Sequence, residues 1–527
     1  MLKCINGCKF QFFLLLILTT SMVIGCSNES IDNALSNGEE QEKEEKKHVE
    51  EETTITILHD THFHGSFGDD EVNLAKYVDF INSIRYEKEN VLFVGAGDEI
   101  SPSLMAGLWN GEHMIEALNA SGLDVTTFGN HEFDYGPENL EALVSKSEFQ
   151  WVSANIIDKQ TGDVFAKDQG ARRYIIKDID GVNLGITGLA PKDMGDFTSL
   201  GETVEEIDFI EAMKAVVPEM KDAGADIILV LSHLANYDAE ELADEVNGID
   251  IIVGDHNSKV NDEPKYINDT IVSFAGDEYD YLGEINIQVT GGKIADWSYT
   301  LHTVEEHVGY NQNVQTIIDR YNKELEEQLE VEIGKRTVEF DTRLESIRYK
   351  ETAVGNFIAD TIRDWANADV AIQNGGGLRG NQVWGANESI TRKEIQEILP
   401  FRSFASKLEV TGELLLEVLD YSVSNEGEGA FLQVSGIEMK YDPSKDAGER
   451  IVEIKINGEP LDVNKTYTLA TNNFLHTGGD GYSMLLKSKP IIVEEAGPLL
   501  SNLIIKAIEE VGVVSTEIEG RIVKVDQ

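Results

Sequence analysis

Apolar and polar positions divide the chain into stretches of different texture. The first is a nearly unbroken apolar run, Phe10-Gln11-Phe12-Phe13-Leu14-Leu15-Leu16-Ile17-Leu18, preceded by Lys3 and Lys9. It has the form of an export signal and is short for a membrane-spanning helix. From Ser27 to about residue 53 the apolar pattern vanishes into Ser, Asn, Glu and Lys, with the charged run from Glu39 to Lys47. Such a segment cannot build a core, so a flexible or partly helical tether is expected at 26–53. At Thr54 the texture changes again, to Thr54-Ile55-Thr56-Ile57-Leu58, the alternation of a buried strand. Up to about residue 300, short apolar runs (Val91 to Val94, Ile227 to Leu231, Ile249 to Val253) alternate with helical segments at 74–87 and 111–121. Strand, loop, helix, strand is the rhythm of an α/β domain, placed at 54–305. A charged helical stretch over about 311–332 forms a connector, 306–344. A second domain follows at 345–525, with Gly-rich loops at 374–380 and 477–481, and no repeated unit relates the halves.

Composition sharpens this picture. At roughly 100–200 residues per domain, 527 residues allow two or three domains, and 41% hydrophobic residues suffice for real cores. Lys plus Arg number 43 against 96 Asp plus Glu, a formal charge of −53. Nucleic acid is excluded as a general partner and anionic lipid headgroups are disfavoured, because both are gripped by Lys/Arg stripes. Dense carboxylates suit an exported, salt-exposed protein. The three cysteines, Cys4, Cys8 and Cys26, all precede the folded region, so neither a structural disulfide nor a Cys-based zinc site is available there. Val23-Ile24-Gly25-Cys26 resembles the bacterial lipobox, which implies a signal peptide over 1–25 and a lipid-modified Cys26 on the extracytoplasmic face of a bacterial membrane.

Five polar clusters follow the apolar runs of the first domain. They are His59-Asp60-Thr61-His62-Phe63-His64-Gly65, Gly95-Ala96-Gly97-Asp98, Gly129-Asn130-His131-Glu132-Phe133-Asp134, Ser232-His233-Leu234, and Gly254-Asp255-His256-Asn257-Ser258. Two divalent ions held close together need a bridging carboxylate and terminal imidazole, carboxylate or amide ligands. Asp98, after a strand and near glycines that let backbone approach, is the natural bridge.

In this order the clusters resemble the calcineurin-like metallophosphoesterases, and within them the 5′-nucleotidase and UDP-sugar hydrolase branch. Asn374-Gly375-Gly376-Gly377-Leu378-Arg379 and Thr471 through Gly481 are similar to the nucleotide-binding C-terminal domain of that branch. The resemblance implies a four-layer βαββαβ sandwich followed by an α+β domain, two divalent ions (Zn, Mn, Co or Fe), and phosphate release from extracellular nucleotides by a metal-bound hydroxide. It implies Asp98 as bridge, Asn130, His233 and His256 at the second metal, and His131 as a non-ligand imidazole, oriented by Asp134, that hydrogen-bonds the transferring phosphoryl oxygens or protonates the leaving group. For the first metal it points to His62 and His64, with a departure: the family's Asp-x-His reads His62-Phe63-His64, and Ser258 replaces a further ligand. Asp60-Thr61-His62 offers an alternative Asp-x-His, so Asp60 and His62 both stay open as the leading ligand. An imidazole in place of a carboxylate disfavours hard ions such as Mg²⁺.

For the second domain the resemblance implies Arg379 and Arg402 as phosphate contacts, Phe431 and Phe474 as rings sandwiching a nucleobase, and Asp480 as acceptor from ribose hydroxyls. A 2′,3′-cyclic nucleotide 2′-phosphodiesterase with 3′-nucleotidase activity or a UDP-sugar diphosphatase would share these motifs. From another class, the altered first site would suit a catalytically poor nucleotide-binding lipoprotein.

Overall fold

The strand that opens the first domain, Glu52–His59, shows why the sequence folds as it does. Its first half alternates exposed and buried residues, while Ile55 to His59 are buried without interruption. A strand covered on both faces has no solvent side to alternate with. It pairs antiparallel with Tyr281–Thr290 on one side and parallel with Val91–Val94 on the other. The six-stranded sheet so begun continues through Val125–Thr126 to Gln150–Trp151, with Lys293–Thr303 at its other edge. A second six-stranded sheet runs in the order Lys265–Ile267, Thr270–Ser273, Ile251–Val253, Ile227–Ser232, Val182–Leu189, Tyr174–Ile179. Their facing sides make one core, including Ile55, Ile57, Val94, Ile186, Leu229 and Ile287. Helices cover both outer faces, Leu74–Glu87 and Glu112–Ser121 over the first sheet and Phe209–Asp222 and Asn236–Glu245 over the second. This is the expected four-layer sandwich.

The computed structural model describes residues 52–525 except Asp60, Thr61, Asp70, Asp193, Phe197, Ser199, Asp277, Glu494 and Glu495. The signal peptide, Cys26, the tether up to residue 51 and the alternative ligand Asp60 therefore lie outside the described residues, while Glu52 and Thr53, expected in the tether, already belong to the first strand. The described residues fall within one compact unit. Among them no helix is long and apolar enough to cross a membrane.

The helix expected at 74–87 is Leu74–Glu87, capped by Asn73 Oδ1 accepting from the Lys76 amide at 3.1 Å. The connector helix, Gln312–Leu329, docks Val314, Ile318 and Tyr321 into the first domain's core, a four-then-three spacing that keeps one face inward. Beyond it a five-stranded mixed sheet (Leu432–Ser435, Val370–Asn374, Thr466–Asn472, Ala405–Thr411, Lys489–Ile492) lies between helices including Ala353–Ala366 and Gly412–Ser424. A smaller four-stranded sheet, in the order Glu459–Pro460, Ile451–Ile456, Ile437–Tyr441, Ile522–Lys524, completes the α+β second half.

Candidate metal centre

Parallel strands carry their functional residues at their C-terminal ends, and here five such ends converge. His62 and His64 follow Glu52–His59, Asp98 follows Val91–Val94, Asn130 and His131 follow Val125–Thr126, His233 follows Ile227–Ser232, and His256 follows Ile251–Val253. All seven side chains are buried. Ligand atoms of Asp98, His233 and His256 lie within 4.8 Å of one another, as do those of His64, Asp98 and His131. Asp98 thus belongs to both groups, as a bridging residue must.

The backbone makes room for this. Asp98 and His64 both adopt left-handed φ, +55° and +50°. A Cβ on Gly129 would come within 2.1 Å of Asp98 Oδ1, so glycine is required where that carboxylate passes the next loop. Asp98 Oδ1 accepts from the His131 amide at 2.8 Å, while Oδ2 lies 2.9 Å from His233 Nε2 and 3.8 Å from His64 Nε2. Burial opposes ionisation of Asp98, but the neighbouring His233, His131 and His64 hold its carboxyl well below the usual range.

The arrangement suits a cation in chemical detail. His233 Nδ1 donates to the Ala96 carbonyl at 2.9 Å, which turns Nε2 onto Asp98 Oδ2 at 2.9 Å, where it pairs with the carboxylate and would face a bound cation. His256 Nδ1 lies 3.1 Å from that same Nε2, and burial together with the charge of His233 pushes His256 down to about 3, an imidazole kept neutral. Asn130 Oδ1 and His256 Nε2 are buried without a hydrogen-bond partner. Acceptors converging in a dry site are what a divalent ion satisfies.

Beside this cluster His131 Nδ1 lies 2.9 Å from Asp134 Oδ2, and that oxygen also accepts from Ser101 Oγ at 2.6 Å. His131 is thereby held with its Nε2 toward the centre. The sequence reading assigned no role to Glu132, inside the same motif. Its carboxylate accepts from the amides of Asp98, Glu99 and Gly129 at 2.7, 2.8 and 2.6 Å, fixing the loop that carries the bridge. Burial and the Asp98 charge push Glu132 up to about 7.

The second half of the chain reaches the centre through 401–404. Phe404 places its ring 6.3 Å from both His64 and His131. Arg402, expected at a phosphate, instead donates to His64 Nδ1 and pairs with Glu278. Arg379 lies over the ring of Phe401, 5.0 Å from its centroid. Asp480 Oδ2 accepts from Asn374 Nδ2 at 2.7 Å, and a Cβ on Gly376 would come within 2.9 Å of it. The expected pair of rings differs from what is found. Phe474 is half-exposed, but Phe431 is fully buried in the core with Leu432, Tyr482 and Leu485, and no ring contact joins the two among the described residues. Leu432 begins a central strand, and the Phe431 ring is drawn inward with it.

A four-layer sandwich with two overlapping ligand groups and a flanking His–Asp pair defines a metal-dependent phosphoesterase. Comparison with known proteins agrees. Residues 53–257 match the family model of the calcineurin-like phosphoesterases, and 332–487 that of the 5′-nucleotidase C-terminal domain. The chain is 31% identical over 518 residues to the trifunctional nucleotide phosphoesterase protein YfkN of Bacillus subtilis, covering 89% of this chain but 35% of that one. It is 27% identical to the 5′-nucleotidase of Bos taurus, over 85% of each chain. The NAD nucleotidase structure from Haemophilus influenzae has the same fold, with a TM-score of 0.78 over 90% of this chain and all of that one, at 20% identity. The chain belongs to the 5′-nucleotidase family of calcineurin-like metallophosphoesterases, hydrolases of phosphoric esters that use two divalent metal ions.

Proposed function

We propose that this chain removes phosphate from nucleotides outside the cell, acting first on nucleoside 5′-monophosphates. Asp98, Asn130, His233 and His256 hold one ion, Asp98 and His64 with His62 the other, and His131 with Asp134 serves as the acid. The observation that carries this reading is the convergence of Asp98 Oδ2, His233 Nε2 and His256 beside an imidazole fixed by Asp134. Bound divalent ions would supply charge neutralisation for the phosphoryl group and a reactive oxygen at neutral pH. The remaining steps belong to the protein's own side chains. Asp134 and Ser101 hold His131 so that a proton at Nε2 faces the leaving oxygen. Phe404 excludes water from the imidazole side of the centre.

Arg379 holds the phosphate end of the nucleotide, Phe474 stacks the base, and Asp480 accepts from the ribose with the oxygen that Asn374 does not occupy. The tether and a lipid on Cys26 would keep the enzyme at the membrane surface, with 54–305 as the catalytic domain, 306–344 as connector and 345–525 as the substrate domain. The relative named as trifunctional supports a wider substrate range, including 3′ and cyclic esters. The test is phosphate release from AMP, 3′-AMP, 2′,3′-cyclic AMP and UDP-glucose after chelator stripping and addition of Mn²⁺, Zn²⁺, Co²⁺ or Mg²⁺. Metal-dependent turnover fastest on AMP is expected. Turnover of the cyclic ester alone would reassign the substrate, and none with any ion would leave a nucleotide-binding protein.

A further inference from the structure

Arg402 enters the metal centre from the other half of the chain. It stands between helix Arg392–Ile398 and strand Ala405–Thr411, its guanidinium 5.3 Å from the centroid of the Phe404 ring. One end of the guanidinium donates to His64 Nδ1 at 2.5 Å, and the other pairs with the Glu278 carboxylate. Glu278 is tied to the same loop from the opposite side, its amide donating to the His62 carbonyl at 2.9 Å. A single planar cation therefore bridges a carboxylate and an imidazole lone pair beside the first ligand group.

The consequence follows from proton placement. Arginine stays protonated in proteins and has only donors, so His64 Nδ1 must act as acceptor. A neutral ring then carries its proton on Nε2, the nitrogen facing Asp98 Oδ2 at 3.8 Å. His233 shows the opposite arrangement, with Nδ1–H spent on the Ala96 carbonyl and Nε2 turned toward Asp98 Oδ2 and His256. For His64 to ligate through Nε2, its proton must move to Nδ1, where it would meet an N–H of Arg402. For it to ligate through Nδ1, the guanidinium must leave that lone pair. Either route requires Arg402 to withdraw.

We infer that Arg402 and a divalent cation exclude one another at the first half of the metal centre, with Glu278 as the carboxylate that faces whichever cation is present. Glu278 thereby adds an acidic group to a half-site whose described residues besides Asp98 are imidazoles. The inference rests on reading His64 and Asp98 as ligands.

The full chain, purified in detergent and stripped with chelator, is titrated with Mn²⁺ and Zn²⁺ by calorimetry, and bound metal is counted after gel filtration. The wild type should show one tight and one weak equivalent. Arg402→Ala should tighten the weak equivalent at least about tenfold. The Arg402 side chain is 38% exposed, so its loss should leave melting unchanged. Arg402→Lys, a point charge without the planar fork, should give a smaller gain and serves if the alanine variant folds poorly. Adding Glu278→Gln to Arg402→Ala should remove the gain. Two equal equivalents in the wild type, or a weak equivalent unmoved by both Arg402 variants, overturns the inference. A wild type that takes up no divalent ion overturns instead the two-ion reading beneath it.

Discussion

The two halves of the metal centre share Asp98 and are otherwise built on different principles. His233 and His256 leave adjacent central strands of one sheet, and a backbone carbonyl sets the His233 ring. Their positions follow from the packing of two sheets. His62 and His64 lie instead on a loop held by contacts from several directions. His113, pushed down to about 4 by burial and so neutral, donates from Nε2 to the Gly65 carbonyl at 2.7 Å, and Ser103 Oγ donates to the same oxygen. Tyr279 donates to the Ser66 carbonyl, while Asn502, from the second half, donates to the Ser103 carbonyl at 2.6 Å. A strand-end site is rigid because the core is rigid, whereas a loop site takes the state of whatever braces it. One half-site therefore stands on the sheet core, and the other is braced by contacts that include the second half of the chain.

Removing the shared residue breaks the comparison most completely. Asp98→Asn keeps the size of the side chain but withdraws the charge that both groups need. Both ions should be lost from the chain, and phosphate release should fall by at least about a thousandfold, roughly 4 kcal/mol of barrier. Retention of one tight ion would mean that the second half-site does not depend on Asp98.

A second variant asks which half His131 belongs to. Its nitrogens lie close enough to His64 and Asp98 to be grouped with them as ligands, yet Asp134 grips Nδ1. If it serves as the acid, His131→Ala lowers kcat by about 10²–10⁴ while both equivalents of metal remain. Loss of one equivalent would make it a ligand of the first half-site and would leave the reaction without an assigned proton donor.

This asymmetry also decided what could be read from the sequence. Asn130, His131, His233 and His256 were legible because strand-end chemistry is local, a buried apolar run followed at once by a Gly, Asn, His or Asp cluster. The α/β rhythm was legible for the same reason, since each strand and helix signals itself within a dozen residues, whereas the four-layer arrangement of those elements came from the family resemblance. Arg402 on Glu278 and His64 was not, because those residues are 124 and 338 positions away and meet only through tertiary packing. Phe431 was misplaced by the opposite error. An aromatic beside a Gly-rich loop looks like a binding ring, but its immediate entry into a buried strand took it into the core. Glu132 was overlooked because nothing local distinguishes a carboxylate that will accept backbone amides from one that will face solvent.

The smallest effect concerns the strand that delivers the first half-site. Glu284 pairs across the sheet with Leu58, one residue before His59, and is almost fully buried. Its carboxylate receives His302 Nε2 at 2.9 Å, Lys88, and Asn286 Nδ2 at 2.7 Å. Burial alone would raise its pKa, but these partners win and bring it to about 2, against an ordinary 4.5. A depressed folded-state pKa means that the unfolded chain binds the proton more readily. The stabilisation is thus complete above about pH 4.5 and is lost as pH falls toward 2. In the metal-stripped chain Glu284→Gln should cost about 2 kcal/mol at pH 6, less than the full shift implies because Lys88 is partly solvated. Wild type and variant should converge in urea melts as pH is lowered from 5 toward 2. The variant should also weaken metal binding at the first half-site more than at the second, because the strand it loosens leads to His62 and His64 and not to His233. Equal weakening of both equivalents would show that acid and mutation act through the sandwich as a whole, and that the two half-sites are not as separately supported as their contacts indicate.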